Sequence, residues 1–228
     1  MICVCILVDN IENAIRKIRS AEKNNPDLIE IRLDYFNDCN YFNNFKKILE
    51  STKIPLIATN RSASEGGSFK EDEGTRVKIL LDAARSGFEY VDIELSTKDV
   101  AKIANDLHSL GSNVIISHHD FNKTPLNNEI RKIFEEMLKI EADVCKIVTT
   151  ANDYNDNLRL LSFLNENFEK SKIVCFAMGE LGKISRIFSP IFGGFFTMAS
   201  LERGQETGFG QIEIGELKEL YEKLGFNI

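Results

Sequence analysis

Hydrophobic and polar positions alternate along the chain with two different periods. Short apolar runs rich in β-branched residues are typical of buried strands, and each is followed by a longer stretch with apolar positions at helical spacing. The predicted strands cover residues 2–8, 28–33, 56–60, 90–95, 113–117, 143–148, 173–177 and 195–199. The predicted helices cover residues 11–23, 41–50, 73–86, 98–110, 126–140, 154–169, 183–188 and 214–224.

Eight strands, each followed by a helix and spaced about 28 residues apart, predict an α/β fold of the (β/α)8 TIM barrel type. No Pro-rich or Gly-rich linker interrupts the pattern, so a single domain over residues 1–228 is expected. A doubly wound open sheet is the alternative, but the turn at residues 8–11 lacks the glycines typical of that fold. A barrel places its chemistry where each strand ends and the next loop begins.

Composition and charge are those of a globular protein that is acidic overall. Hydrophobic residues make up 43%, charged residues 28%, and the net charge is −7. No basic tail or stripe is visible, which argues against nucleic acid or an anionic membrane as a partner. The first apolar run is too short to span a bilayer, lacks a basic leader and meets Asp9 directly, so we expect a cytoplasmic protein without a signal peptide.

The chain has five cysteines, and four of them (Cys3, Cys5, Cys145 and Cys175) lie in apolar strand runs. This favours buried, reduced thiols in a reducing compartment. The close pair, Cys3 and Cys5, has no second Cys or His pair at the spacing of a zinc site, so no metal is expected.

A lysine, Lys146, stands in the middle of the sixth predicted strand. Lysine is rarely buried without a partner. Burial lowers the pKa of the amine, and a neutral amine is a nucleophile that forms a Schiff base with a carbonyl. The alternative is that Lys146 reaches solvent from a strand end or an edge strand.

Charged residues also share faces on the second and fourth strands. Glu30, Arg32 and Asp34 lie on one face by strand period, which is costly unless they pair or bind something. Glu30 and Asp34 fit a structural ion-pair cluster as well as a site, whereas Arg32 favours a functional role. Asp92 and Glu94 either hold an ammonium or an arginine in place, or neutralise Arg32.

Two further strand ends and one long loop carry candidate binding groups. Arg61 ends the third strand and suits bidentate capture of a carboxylate, and Gly66-Gly67 indicates a turn with unusual dihedral angles. Arg186, after the seventh strand, lies over the barrel mouth or caps a helix. The glycine-containing loop at residues 200–211 is long enough to close as a lid.

The fifth strand ends with two adjacent histidines, His118 and His119, followed by Asp120. Histidine suits proton transfer near neutral pH. Strand period allows only one of the pair to face inward and does not say which. His108 lies in a polar helix, where we expect it to be solvated.

Cations concentrate at the predicted strand ends although the protein is acidic: Arg32, Arg61, Lys146 and Arg186. This pattern predicts a small anionic substrate with a carbonyl group, in which arginine binds the carboxylate, lysine the carbonyl, and histidine moves protons.

Motifs in the same order along the chain resemble one known family. They are Glu30-Ile-Arg-Leu-Asp34, Arg61-Ser-Ala-Ser-Glu-Gly-Gly67, Asp92-Ile-Glu94, Ser117-His-His-Asp-Phe121, Lys146-Ile, Met178-Gly, Ser185-Arg186 and Gly210-Gln211. The set resembles type I 3-dehydroquinate dehydratase. The resemblance implies a (β/α)8 homodimer that removes water from 3-dehydroquinate to give 3-dehydroshikimate in the shikimate pathway of aromatic amino acid biosynthesis. It also implies a lysine imine and no metal or cofactor.

By position, the resemblance makes Lys146 the imine-forming lysine and His119 the general acid and base. Glu65 resembles the acid that orients this histidine, and Arg186 the clamp for the substrate carboxylate. The remaining matches are Glu30, Arg32, Arg61 and Gln211 as ligands of the hydroxyls and ring, and Asp92 as a supporting acid.

The last loop departs from the family pattern Ser-Ala-Pro-Gly-Gln, because here it is Thr207-Gly-Phe-Gly-Gln211. Thr207 stands for the serine hydroxyl, and Phe209 stands for the proline. The substitutions should leave the open loop looser.

Two rival functions fit the residues alone. A class I aldolase barrel also uses a lysine imine on the sixth strand, but it normally has a phosphate cradle after the last two strands and does not need this set of arginines. A non-catalytic binding barrel would leave Lys146 titrating as a surface amine.

Overall fold

The computed structural model describes residues 1–36 and 41–226. The strands are β1 (Ile2–Leu7), β2 (Leu28–Arg32), β3 (Leu56–Thr59), β4 (Tyr90–Glu94), β5 (Asn113–His119), β6 (Val144–Thr150), β7 (Lys172–Met178) and β8 (Thr197–Ser200). The helices are α1 (Ile11–Glu22), α2 (Tyr41–Glu50), α3 (Glu73–Ser86), α4 (Val100–Ser109), α5 (Asn127–Lys139), α6 (Asn155–Asn167), α7 (Lys183–Phe188) and α8 (Ile214–Lys223). Short 3₁₀ turns cover Leu33–Tyr35, Ala63–Glu65 and Ser189–Phe192. Every predicted strand and helix is confirmed, with ends that differ by at most two residues.

The strands form one parallel sheet in the order β7-β6-β5-β4-β3-β2-β1-β8. Neighbours in the sheet follow the chain, and β8 lies beside β1, so the sheet curls round on itself. The backbone N–H of Phe195, just before β8, donates to the carbonyl of Ile173 in β7 at 2.8 Å, which brings the two sheet ends together. The predicted TIM barrel is confirmed, and the open doubly wound sheet is wrong because its strand order would reverse partway across.

Alternate residues of each strand point into the barrel and out toward the helices. In β1, Cys3 and Cys5 belong to the inner apolar cluster, whereas Ile2, Val4 and Ile6 pack against the helices. In β2 to β5 the inward-facing positions are apolar near the amino-terminal end and polar toward the carboxyl end, whereas Val148, Phe176, Met178 and Met198 of the inner cluster keep part of the cavity wall on β6 to β8 apolar. This switch from apolar to polar along the inner face creates the site.

Side chains at the helix ends fix where the helices begin. The Asn10 side chain accepts the N–H of Asn13 at 2.9 Å to cap α1, and Asp72 accepts the N–H of Thr75 at 3.1 Å to cap α3. Such caps each contribute about 1 kcal/mol. No helix within residues 1–36 and 41–226 is both long and apolar enough to cross a membrane.

The four strand cysteines are buried and free of disulfides, as predicted. Burial raises the pKa of the Cys145 thiol to about 11, which keeps it protonated at neutral pH. Cys39 lies outside the described residues.

Candidate active site

A cavity of about 780 Å³ opens at the carboxyl ends of the strands. Every predicted site residue except Asp92 lines it: Glu30, Arg32, Arg61, Glu65, His119, Lys146, Arg186, Thr207 and Gln211. Strand period explains this convergence. Lys146, for example, lies between Val144 and Val148 on the inner face of β6, and both valines belong to the inner cluster.

Lys146 is buried inside the barrel, with only 3% of its surface exposed. Its Nζ donates to Oδ2 of Asp92 at 2.8 Å and to Oε1 of Glu30 at 3.3 Å. The interpretation that it reaches solvent is therefore wrong. The expected lowering of its pKa is also wrong: burial acts in that direction, but Asp92 and Glu30 outweigh it and raise the pKa above the ordinary lysine value.

Asp92 lies behind Lys146 and is fully buried. Arg61 donates to its Oδ1 at 2.7 Å and to Glu94 at 3.0 Å. Burial alone would raise the pKa of Asp92, but Arg61 and Lys146 hold it well below its ordinary value. Asp92 and Glu94 thus hold an ammonium and an arginine in place, and the alternative that they neutralise Arg32 is wrong.

Arg32 makes its own ion pair. Its Nε and Nη2 donate to the two carboxylate oxygens of Asp34 at 2.8 and 2.7 Å, and its guanidinium lies 5.4 Å from the centre of the Tyr35 ring. Asp34 also accepts the N–H of Ser68 at 3.0 Å. Asp34 therefore belongs to a structural pair that positions Arg32 at the cavity wall.

His119 is the histidine that faces the cavity. Its Nδ1 lies 2.9 Å from Oε2 of Glu65. Burial and the neighbouring Arg61 lower the pKa of His119 to about 4 although Glu65 opposes them, so the ring is neutral at neutral pH. His118 alternates to the other face of β5, on the side of Ile116 and the helices.

The third histidine departs from expectation. His108 on α4 is paired rather than simply solvated: its Nε2 lies 2.8 Å from Oδ2 of Asp143, and about a third of each side chain is exposed. The same oxygen accepts the N–H of Val114 at 2.7 Å. This pair joins α4 to the start of β6, away from the cavity.

The glycine pair after Arg61 allows Glu65 to reach His119. Gly66 has a φ of +77°, and a side chain there would meet the Phe121 ring at 2.6 Å. A Cβ at Gly67 would lie 1.9 Å from the carbonyl oxygen of Arg61. The predicted unusual turn is confirmed, and both positions require glycine.

Arg186 differs from the other cations of the site. It is 2% exposed, and its guanidinium lies 4.3 Å from the centre of the Phe176 ring. Its donors reach only the carbonyls of Met198 at 3.5 Å and Phe209 at 3.3 Å, and its Nε is buried without a partner among the described residues. Burial lowers its pKa to about 9, so it stays positive at neutral pH. The described part of the chain offers it no carboxylate.

The loop after β8 lies across the cavity. Thr207 and Gln211 hydrogen bond to each other through their side chains, at 2.9 and 3.2 Å. The Phe209 carbonyl accepts the N–H of Gly179 at 3.1 Å, whereas the Phe209 side chain is 78% exposed. The loop thus touches the turn after β7 through its backbone and presents an unpacked aromatic ring at the rim.

Several supporting residues, Arg76 and Ser96 among them, were missed by sequence reasoning. Arg76 on α3 is 1% exposed and donates to Glu94 at 2.6 Å. Its place on the apolar stripe with Ile79 and Leu80 was a usable signal, because a charge on a buried stripe needs a partner. Ser96, after β4, contacts Glu65, and nothing in the sequence distinguishes it from other turn serines. Within the described ranges, no cluster of three or more His, Cys, Asp or Glu side chains is arranged to hold a metal ion.

Known proteins match this chain over nearly its whole length. The family model for type I 3-dehydroquinase matches residues 2–227. The 3-dehydroquinate dehydratase of Methanococcus maripaludis strain C5 is 36% identical over 225 residues, which cover 97% of this chain and 99% of that protein. The 3-dehydroquinate dehydratase structure from Geobacillus kaustophilus HTA426 has a TM-score of 0.91 at 24% identity, covering 98% of this chain and 90% of that one. The type I enzyme structure from Clostridium difficile with covalent modified comenic acid has a TM-score of 0.85 at 30% identity, covering 98% and 91%.

Proposed function

The chain belongs to the type I 3-dehydroquinase family, and we propose that it removes water from 3-dehydroquinate through a Schiff base on Lys146. The enzyme is a dehydratase, and so a lyase. The product is 3-dehydroshikimate, an intermediate of the shikimate pathway. One observation carries the proposal: a buried lysine, a neutral histidine and an arginine without a carboxylate partner line the same cavity.

Covalent chemistry begins at Lys146. The amine loses a proton, attacks the substrate carbonyl, and expels the carbonyl oxygen as water to leave a protonated imine. Asp92 at 2.8 Å and Glu30 at 3.3 Å are placed to take the amine proton. Return of this proton to the departing oxygen completes the water molecule, and the two carboxylates, ionised again, stabilise the positive imine as they stabilise the ammonium, since both carry the charge on one nitrogen.

His119 then moves the protons of the elimination. The imine withdraws electrons, which makes the hydrogen on the adjacent carbon acidic. A neutral imidazole removes this proton and afterwards returns it to the departing hydroxyl, so that one molecule of water leaves. Glu65 holds Nδ1 of the ring at 2.9 Å, which leaves Nε2 for the substrate. Hydrolysis of the product imine restores Lys146.

Arg186 binds the substrate carboxylate. A carboxylate would supply the missing acidic partner and could engage the unpartnered Nε in a bidentate pair. Arg32 and Arg61 already hold carboxylates of the protein, Asp34 and Asp92. They, together with Glu30, Thr207 and Gln211, contribute hydrogen bonds to the hydroxyls and ring.

Borohydride reduction in the presence of 3-dehydroquinate tests the proposal. Reduction converts the imine to a stable secondary amine, and peptide mass spectrometry then locates the adduct. We expect a single adduct, on Lys146, and none in a Lys146→Met variant. Lys172, on the neighbouring strand β7 with its side chain over the Phe195 ring at 4.8 Å, serves as a matched control through Lys172→Met, which should still be trapped on Lys146. An adduct on another lysine, or no adduct in active enzyme, would refute the Schiff base.

The homodimer and the cytoplasmic location stay predictions, as does the absence of nucleic-acid and membrane partners. Sedimentation equilibrium on the purified protein tests the dimer directly, because the monomer mass is 25.9 kDa.

A further inference from the structure

The Ser96 hydroxyl donates a hydrogen bond of 2.6 Å to Oε1 of Glu65. The other oxygen of the same carboxylate, Oε2, lies 2.9 Å from Nδ1 of His119. Ser96 stands in the turn between β4 and α4, whereas Glu65 and His119 line the cavity. The serine therefore contacts the histidine only through the glutamate between them.

We propose that Ser96 is a positioning residue for the elimination, which fixes Glu65 so that His119 presents Nε2 as its unprotonated nitrogen. The inference rests on the proposed role of His119 as the general base. It adds a residue that acts on the reaction without touching the substrate.

Hydrogen-bond chemistry gives the pair of contacts a direction. An ionised carboxylate only accepts hydrogen bonds, so Ser96 and His119 must both donate to Glu65. A neutral imidazole that donates from Nδ1 keeps its lone pair on Nε2. Burial alone would raise the pKa of Glu65, whereas the hydrogen bonds from His119 and Ser96 lower it below its ordinary value. Without Ser96, Glu65 would protonate more easily and could rotate away from Nδ1.

Other charges also face this pair. They are Arg61 from the end of β3, Asp92 from β4 and Lys146 from β6. A Ser96→Ala change leaves all three in place. A change in the pH dependence of that variant therefore reports on Glu65 and His119 rather than on the rest of the site.

Steady-state kinetics with 3-dehydroquinate across about pH 3 to 9, a range that includes the His119 pKa of about 4, test the inference. We expect Ser96→Ala to lower kcat about 10-fold, and to move the acid limb of kcat upward by about one pH unit, because a hydrogen bond to a charged group is lost. KM should change little. Ser96→Thr keeps the hydroxyl and should restore both values. Ser64→Ala is the matched control: its hydroxyl contacts that of Ser62 at 2.8 Å, next to Glu65 but away from the carboxylate.

Nitrogen-15 NMR of the His119 ring provides a second readout that needs no turnover. The wild-type ring should carry its proton on Nδ1, and Ser96→Ala should increase the Nε2-protonated form. An unchanged acid limb and an unchanged tautomer in Ser96→Ala would overturn the inference even if kcat fell. Loss of the Nδ1-protonated form in Ser96→Ala would support the positioning of His119 by Ser96. Absence of dehydration by the wild type would refute only the proposed function, because the tautomer measurement needs no turnover.

Discussion

The Lys146 ammonium lies 2.8 Å from Oδ2 of Asp92, deep inside the barrel. Arg61 donates to the other oxygen of this carboxylate at 2.7 Å. One acid thus joins the lysine to an arginine, and its negative charge favours a positive charge on the lysine nitrogen. Asp92 therefore sets how readily Lys146 becomes a neutral nucleophile.

Replacing Asp92 should change the pH at which Lys146 reacts. In Asp92→Asn the strongest influence that raises the lysine pKa is removed, and Glu30 remains as the neighbouring acid. We expect the pH profile of imine trapping by borohydride to move to lower pH by about one unit or more, while kcat falls because the iminium loses its counter-ion. The profile is measured from trapped adduct against pH at short reaction times.

Glu94→Gln is the matched control for this change. Glu94 contacts Arg61 and Arg76, both through ion pairs, but not Lys146. Its trapping profile should resemble that of the wild type. If Asp92→Asn and Glu94→Gln gave the same profile, Asp92 would not be the group that sets the lysine pKa.

The two catalytic steps should separate in single-residue variants. Lys146→Ala should abolish turnover, because the proposed imine then lacks its nitrogen. His119→Ala should still form the imine but lose about 10²–10⁴-fold in kcat, because only the proton transfers are impaired. His118→Ala, on the opposite face of β5, should retain wild-type kinetics. Wild-type rates in His119→Ala together with a loss in His118→Ala would reverse the assignment of the two histidines.

Arg186 should lower the thermal stability of the free enzyme and, at the same time, strengthen its binding of substrate. A buried guanidinium without a carboxylate is costly, so Arg186→Met, which keeps an apolar contact to Phe176, should raise the thermal midpoint of the free protein. The same change should raise KM about 30-fold or more, as expected when one partner of a buried charge pair is lost. Differential scanning calorimetry and steady-state kinetics measure the two effects.

Arg85→Met provides the comparison, because Arg85 is half exposed and pairs with Asp82 on the surface of α3. Neither KM nor the thermal midpoint should change much. A fall in thermal midpoint for Arg186→Met would mean that the carbonyls of Met198 and Phe209 compensate the buried charge fully.

Sequence periodicity was sufficient for the fold, because strand and helix periods are local properties and the eightfold repeat admits few topologies. It also placed the charged residues of the strands, Glu30, Arg32, Asp92 and Lys146, since inward-facing positions at strand ends converge in any such barrel. The assignment of Glu65, Thr207 and Gln211, and the choice of His119 over His118, rested on the family resemblance instead. Periodicity did not predict which charged side chains form ion pairs with each other. Whether Arg32 pairs with Asp34 or with Asp92 depends on side-chain reach in three dimensions, and the sign of the Lys146 pKa shift depends on two acids from other strands. Ser96 illustrates the same limit, because a hydroxyl in a turn carries no sequence pattern of its own.

The neutral state of His119 should be visible in the stability of the protein. Its folded pKa of about 4 lies below the ordinary value of 6.5, so the unfolded chain binds more protons between these pH values. The histidine therefore contributes stability that is fully present above about pH 6.5 and is lost as the pH falls through 4, amounting to about 3 kcal/mol. Urea unfolding of the wild type and of His119→Gln at several pH values gives this contribution as the difference between the two curves. Parallel curves would show that the folded-state pKa is not depressed.

The two glycines that flank Phe209 should respond oppositely to alanine. A Cβ at Gly208 meets nothing within 4 Å, so Gly208→Ala removes freedom from the open loop without a clash. This should favour the closed loop by about 0.4–1 kcal/mol and lower KM about two- to fivefold. Gly210 has a φ of +77°, and its Cβ would lie 2.5 Å from the carbonyl oxygen of Gly179.

Gly210→Ala should therefore push the loop off the turn after β7 and break the contacts of the Phe209 carbonyl with Gly179 and Arg186. KM should rise, and limited proteolysis should cut the loop faster than in the wild type, because a detached loop fits a protease active site more easily. Gly208→Ala should be cut more slowly. Equal proteolysis rates and equal KM values in the two variants would mean that the loop does not act as a lid, because a lid must couple its contact with the β7 turn to the occupancy of the cavity.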